Sequence, residues 1–284
     1  MISTDVSICL STLLPDPFSI DPDTFDNMLD AAAAAGFSGV SWWTLHHLFL
    51  EQAGLSGDEQ LARIRARGLS VTCLEALAGW GNAASPVEAV AEAEMALALN
   101  DHYGADHLVA VVMDAELADY DQTVANLAAI AARAADHDVT VCVEFLPWSA
   151  IGDIGTCHEL LRRTEADNVT VLLDSWHWQR QAGGPGGANA EILASMDPGY
   201  FGILQVCDAL AEAQDDVMGE AMTQRPIPGQ GVVDNAALLD LIDAAGADII
   251  LCPEVFNHQV LAEGPDVLAA AVGDATRALV AERS

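Results

Sequence analysis

Apolar positions along this chain follow two alternating rhythms. Short β-rich runs recur at Val6–Leu10, Gly39–Trp43, Ser70–Leu74, His107–Met113, Val139–Phe145, Val169–Asp174, Phe201–Val206 and Asp248–Val255. Between these runs apolar residues step by three and four, as on one face of a helix. Phe25, Met28 and Leu29 precede an alanine run closed by Gly36, and Leu61 and Ile64 lead to Gly68. Val87, Val90 and Met95, then Val124, Leu127 and Ile130, then Leu160 and Leu161 continue the series. Leu238, Leu239 and Ile242, and finally Val267, Leu268 and Val272, complete it. Asp21-Pro22, Ser85-Pro86 and Gly264-Pro265 place a proline near a helix start, where its missing N–H costs nothing.

Strands separated by helices pair in parallel through right-handed crossovers. Eight such units predict an α/β chain folded as a single (β/α)8 barrel. The 284 residues suit one such barrel, and no linker or composition shift divides them, so residues 1–284 are expected to form one domain. Two units depart from the rhythm. The sixth offers only a short helix near Ala190–Met196, and the connection from Asp208 to Val233 is long. A connection of that length is expected to serve the site.

Composition narrows the function. Acidic residues outnumber basic ones 43 to 10, for a net charge of −33, and every basic residue is an arginine. Such a surface repels phosphate backbones and anionic membranes, so neither nucleic acid nor membrane is expected as a partner. The acidity itself speaks of solubility or a saline habitat more than of activity. Six cysteines form no CxxC pair, and five lie in apolar runs, which points to a reducing cytoplasm. The opening MISTDVSICL lacks a basic segment and a long apolar stretch, so no signal peptide is expected.

The chemistry gathers at strand ends. In a barrel the C-terminal ends of all strands share one mouth. The fifth run carries Glu144, the sixth ends on Asp174, the seventh carries Gln205 and the eighth Glu254. Carboxylates that close to a core are costly unless paired or bound to metal, and three facing one another repel. A divalent cation resolves the conflict. Three carboxylates and one amide oxygen make a hard-oxygen site for Mn²⁺, Mg²⁺ or Co²⁺, with zinc less natural.

The ordered pieces VEFLP around Glu144, LLDSWH from Leu172 to His177, LQVCDA from Leu204 to Ala209, RPIPGQGVVD from Arg225 to Asp234 and PEVF around Glu254 extend this pattern. Together they resemble the xylose isomerase-like TIM-barrel superfamily of sugar isomerases and epimerases. The resemblance implies one bound divalent metal, Mn²⁺ first, on Glu144, Asp174, Gln205 and Glu254. It implies that Glu144 and Glu254 also act as the acid/base pair on opposite sides of the substrate. His177 and Arg225 would hold the substrate oxygen beside the reacting carbon. The implied activity is isomerisation or epimerisation of a sugar or polyol-derived ketone through a metal-stabilised enediolate. A homo-oligomer fits the superfamily. The Phe-Leu-Pro-Trp segment after Glu144 matches neither the epimerase pattern nor the histidine-rich pattern of inosose dehydratases.

Aromatics after strand ends suit the apolar face of a sugar, and Trp148 and Trp176 are the candidates for lining the pocket. Trp42, Trp43, Trp80 and Trp178 are expected to serve packing more than binding. His46 and His47 read as ordinary helix or loop residues, and His107 as structural at the barrel's far end. Glu75 is a lesser candidate for a substrate contact. Asp208 is expected to orient either the metal site or a loop. Pro228–Gly231 lacks the Lys-Ser/Thr of a P-loop and is expected to form a turn over the mouth; an unphosphorylated substrate follows. The alternative is a dehydratase of the inosose or 3-dehydroshikimate type, in which the same enolate expels a hydroxyl. A non-catalytic binding subunit ranks below both. A repair endonuclease would need a histidine-built zinc cluster and a basic face, which this chain lacks.

Overall fold

The computed structural model describes residues 6–281. Eight parallel strands form one sheet in sequence order: β1 (Ser7–Cys9), β2 (Gly39–Trp43), β3 (Ser70–Leu77), β4 (His107–Val111), β5 (Thr140–Glu144), β6 (Val169–Asp174), β7 (Phe201–Gln205) and β8 (Ile250–Leu251). The sheet closes on itself where Val6 bridges Leu251 and the Cys9 N–H donates to the Pro253 carbonyl at 3.0 Å. This is the single (β/α)8 barrel expected from the alternating rhythms. The first five residues of the opening segment lie outside the described residues. Among those described, no helix is long and apolar enough to cross a membrane.

Helix starts follow local chemistry. Asp21 caps Pro22–Ala34, Ser85 caps Pro86–Tyr103, Asp119 caps Tyr120–Ala135 and Asp153 caps Ile154–Thr164, each by accepting backbone N–H groups. The prolines at Pro22 and Pro86 fill the first helical position as expected. Outside the barrel, Phe25, Leu29, Leu97, Leu127, Ile130, Leu160 and Leu268 bury the helices against the sheet. Inside it, Cys73, Val109, Cys142, Leu172, Ile203 and Cys252 fill a separate small core.

Four elements differ from the sequence expectation. The eighth run is a paired strand only at Ile250–Leu251. Pro253 has no N–H for the ladder, and on the β7 side pairing continues through Cys252 N to Leu204 O and Glu254 N to Val206 O. Trp43 is followed at once by a helix, Thr44–Gln52, ahead of the expected one at Gly57–Ala66. Asp174 likewise opens a short helix, Ser175–Arg180, before Gly187–Ser195. The long seventh connection contains its own helix, Val217–Thr223.

Candidate active site

Strand alternation builds the site. Side chains two apart on a strand face the same way. On β5, β6 and β7 the interior residues Cys142, Leu172 and Ile203 are therefore followed, one step nearer the mouth, by Glu144, Asp174 and Gln205. Cys252 and Glu254 repeat the step beyond β8, and Cys73 and Glu75 repeat it on β3. Three of these pairs read Cys-x-Glu. An apolar floor is thus overlaid by a polar ring. Asp174 and Gln205 are direct partners across β6 and β7, while Glu144 pairs with Leu172, the stagger that barrel shear imposes.

The ring is almost dry. Glu144 is 8%, Asp174 1%, Gln205 1%, Glu254 5%, His177 2% and Arg225 2% exposed. Asp174 uses its two oxygens differently. Oδ1 accepts the His177 backbone N–H at 2.9 Å and so caps Ser175–Arg180; Oδ2 accepts from Arg225 Nη1 at 2.7 Å. The same nitrogen reaches Glu254 Oε2 at 3.0 Å. Glu254 Oε1 accepts from Gln205 Nε2 at 3.3 Å, and His177 Nε2 lies 3.2 Å from Glu144 Oε1. The Asp-x-x-His spacing thus anchors the helix on the carboxylate and turns the imidazole onto its neighbour.

Electrostatics follow from burial. Burial, then the charge of Asp174, pushes Glu144 up to about 8, with Arg225 opposing. Burial pushes Glu254 up to about 7; Arg225 restrains it, while Glu144 and Asp174 add to the rise. Burial drives the His177 imidazole down to about 4, so it is neutral near neutral pH. Burial also opposes the charge on Arg225, but Asp174 and Glu254 outweigh it and hold the guanidinium charged.

Ligand atoms of Glu144, Asp174 and His177 lie within 4.8 Å of one another and can hold a metal ion. The amide oxygen of Gln205 is buried without a partner, as an oxygen donor awaiting a cation would be. Carboxylates, an amide oxygen and a neutral imidazole form a donor set that suits a divalent ion. Arg225 is the resident cation of the ring, placed between Asp174 and Glu254.

The aromatic candidates separate. Trp148 is half-buried with its ring 5.4 Å from His177. Trp176 is fully buried; its indole N–H donates to Glu220 and its ring lies 5.6 Å from the Arg225 guanidinium. Glu220 gave no sequence signal, yet it is fully buried and also receives Arg180 at 2.6 Å and the Gln214 N–H. It ties the seventh connection to the helix after Asp174. Asp208 organises the same connection. Its carboxylate accepts the N–H groups of Ala209, Gly229, Gly231 and Val233 at 2.8–2.9 Å. A side chain at Gly231 would collide with the Ala209 carbonyl and the Asp208 carboxylate, which is why that turn needs glycine.

His46 is buried against the Pro17 carbonyl and stacked on Trp43, and His47 hydrogen-bonds Tyr103. Both are packing residues. His107 begins β4 at the far end of the barrel and pairs with Asp106.

This arrangement has relatives. A family model described as a xylose isomerase-like TIM barrel matches residues 29–276. The chain belongs to that family. Its match to a 3-dehydroshikimate dehydratase of Pseudomonas aeruginosa is 31% identical over 133 residues. That stretch is 46% of this chain and 20% of the dehydratase, so the chain spans about a fifth of that protein. Among solved structures, the IOLI protein with a bound zinc atom superposes with a TM-score of 0.80 at 18% identity, over 98% of this chain and 99% of the other. An L-ribulose 3-epimerase superposes with a TM-score of 0.71 at 19% identity, over 98% and 97%. At these identities the structural likeness is one of fold. Members of the family and its neighbours are mostly enzymes, isomerases, epimerases and dehydratases among them.

Proposed function

We propose that this chain is a divalent-metal-dependent isomerase or epimerase of an unphosphorylated sugar or polyol-derived ketone. One observation carries the reading. Two buried carboxylates with raised pKa values, Glu144 and Glu254, flank the Asp174–Arg225 pair from strand ends three strands apart. Groups that titrate near neutrality can both take and return a proton. A divalent ion on Glu144, Asp174, Gln205 and Glu254, with His177 at hand, would supply positive charge to the oxygen of a developing enediolate. Mn²⁺ is the ion we assign, and Mg²⁺, Co²⁺ and Zn²⁺ belong in the assay.

The chain's own residues do the rest. One glutamate removes the proton α to the carbonyl, and the other delivers it to the opposite face or to the neighbouring carbon. Neutral His177 and charged Arg225 orient the substrate oxygen. Trp148 offers an aromatic surface beside His177, while Trp176 supports the guanidinium from beneath. The Asp208-bound turn and the Glu220 cluster keep the seventh connection in place beside this ring.

The local match to a 3-dehydroshikimate dehydratase favours a second reading, in which the same enolate expels a β-hydroxyl. Elemental analysis of purified protein tests the metal first. About one divalent ion per chain is expected, weakened or lost in Glu144→Gln and Glu254→Gln. Protein that takes up no such ion would move the non-catalytic binding subunit to the front. Ultraviolet absorbance of a conjugated product, on incubation with 3-dehydroshikimate or an inosose, would establish the dehydratase instead.

A further inference from the structure

Glu75 is the member of the polar ring that the proposed proton transfer leaves unused. It stands at the same interior step as Glu144 and Glu254, one residue pair above Cys73, and is 95% buried, its exposure being 5%. Trp43 is its partner across β2 and β3. One of its carboxylate oxygens approaches Glu254 and the Cys9 thiol to within 4.8 Å. Its Oε1 is buried without a well-formed hydrogen bond, and the donors that stand beside the carboxylate are the Ser41 hydroxyl and the Trp43 indole N–H. A buried carboxylate left with an oxygen so poorly satisfied would be a standing cost in a region meant only for packing.

We propose that Glu75 is a substrate-binding residue that selects an uncharged polyhydroxylated ring ketone over one bearing a carboxylate. A substrate hydroxyl donates to the free Glu75 oxygen; a carboxylate or phosphate brings only lone pairs and negative charge. The rest of the ring agrees. Asp174, Glu254 and Glu144 share the field of a single guanidinium, and Glu75 lies beside Glu254. One divalent ion added to Arg225 only balances the three carboxylates that would hold it, so the ring gains no net positive charge to attract an anion. The chain has no lysine, and the two arginines that follow strand ends are both engaged, Arg180 by Glu220 and Arg225 by Asp174 and Glu254. Among the described residues no further arginine follows a strand end to receive an anionic substituent.

The inference rests on the proposed isomerase reading for its substrate frame, and its test separates the two. Calorimetry on Mn²⁺-loaded protein would compare a keto-inositol with 3-dehydroshikimate. Wild type is expected to bind the neutral ketone at least about tenfold more tightly, and Glu75→Gln to narrow that ratio by about tenfold. Glu75→Asp, which keeps the charge but shortens the reach, should weaken the neutral ketone while still disfavouring the anion. Should the variants fail to fold, the wild-type ratio alone decides. Preference for the carboxylate, binding of neither ketone, or a ratio unchanged in Glu75→Gln would overturn the assignment. Selective binding without α-proton exchange would leave Glu75 in place and remove the isomerase; exchange with an unchanged ratio would do the reverse.

Discussion

Replacing Arg225 with methionine removes the positive charge that Asp174 and Glu254 share. The guanidinium is 2% exposed, with Nη1 at 2.7 Å from Asp174 and 3.0 Å from Glu254, and its Nε donates to the Ala221 carbonyl at 2.6 Å. The variant leaves two buried carboxylates uncompensated and one buried carbonyl unpaired. Breaking a buried ion pair from one side costs about 3–5 kcal/mol. For a chain of this size that is roughly 6–10 °C in Tm. The cost depends on pH. Burial already holds Glu254 near 7 and Glu144 near 8, above their ordinary value of 4.5, so protonation favours the folded chain. Their contribution to stability is full below about 4.5 and is lost as pH rises through 7 and 8. Without Arg225 these pKa values rise further, and the part of the deficit carried by Glu254 and Glu144 should be small near pH 5 and full by about pH 9. Added Mn²⁺ should recover most of it by neutralising the same carboxylates. Differential scanning calorimetry across this range, with and without Mn²⁺, reads the effect. A loss under about 1 kcal/mol, equal at both ends of the range, would refute the picture of carboxylates buried around one cation.

Other outcomes follow from the same physics. Asp208→Ala should cost about 3 kcal/mol or more, because it strips acceptors from backbone N–H groups at Gly229, Gly231 and Val233; hydrogen exchange should quicken at those amides, and unchanged exchange would contradict the role. Affinity for Mn²⁺ should rise at least about tenfold between pH 6 and 8, since Glu254 near 7 and Glu144 near 8 must shed protons to bind it; a flat calorimetric profile would argue against those ligands. With a net charge of −33 and no lysine, the chain should melt at higher temperature in molar KCl than in dilute buffer, and a Tm that falls with salt would contradict dominance of surface repulsion.

The barrel was legible because period-two runs separated by period-3.6 runs leave few topologies open. The strand-end residues Glu144, Asp174, Gln205 and Glu254 were legible because each interrupts an apolar run. Glu75 breaks its run in the same way, but a glutamate followed by Ala-Leu-Ala reads as the start of a connection. Only its place on the same interior face as Cys73 puts it in the ring. The helix Ser175–Arg180 was hidden because Asp174 reads equally as a strand terminus and a cap, and in the structure its two oxygens do both tasks. The eighth strand was overdrawn because hydropathy does not register that Pro253 removes a ladder donor. Glu220 was invisible for a different reason. A lone acid in an acid-rich connection carries no signal until Arg180 and Trp176 are seen to converge on it.

The most direct test of the account is deuterium incorporation at the carbon α to the carbonyl, followed by NMR in deuterated water across ketoses and inososes. The account predicts exchange with Mn²⁺-loaded protein, none without the metal, and loss of at least about a hundredfold in Glu144→Gln and in Glu254→Gln. Exchange that persists in both variants, or a metal-loaded protein that exchanges no substrate in the series, would contradict the assignment of this ring as a metal-assisted proton-transfer site.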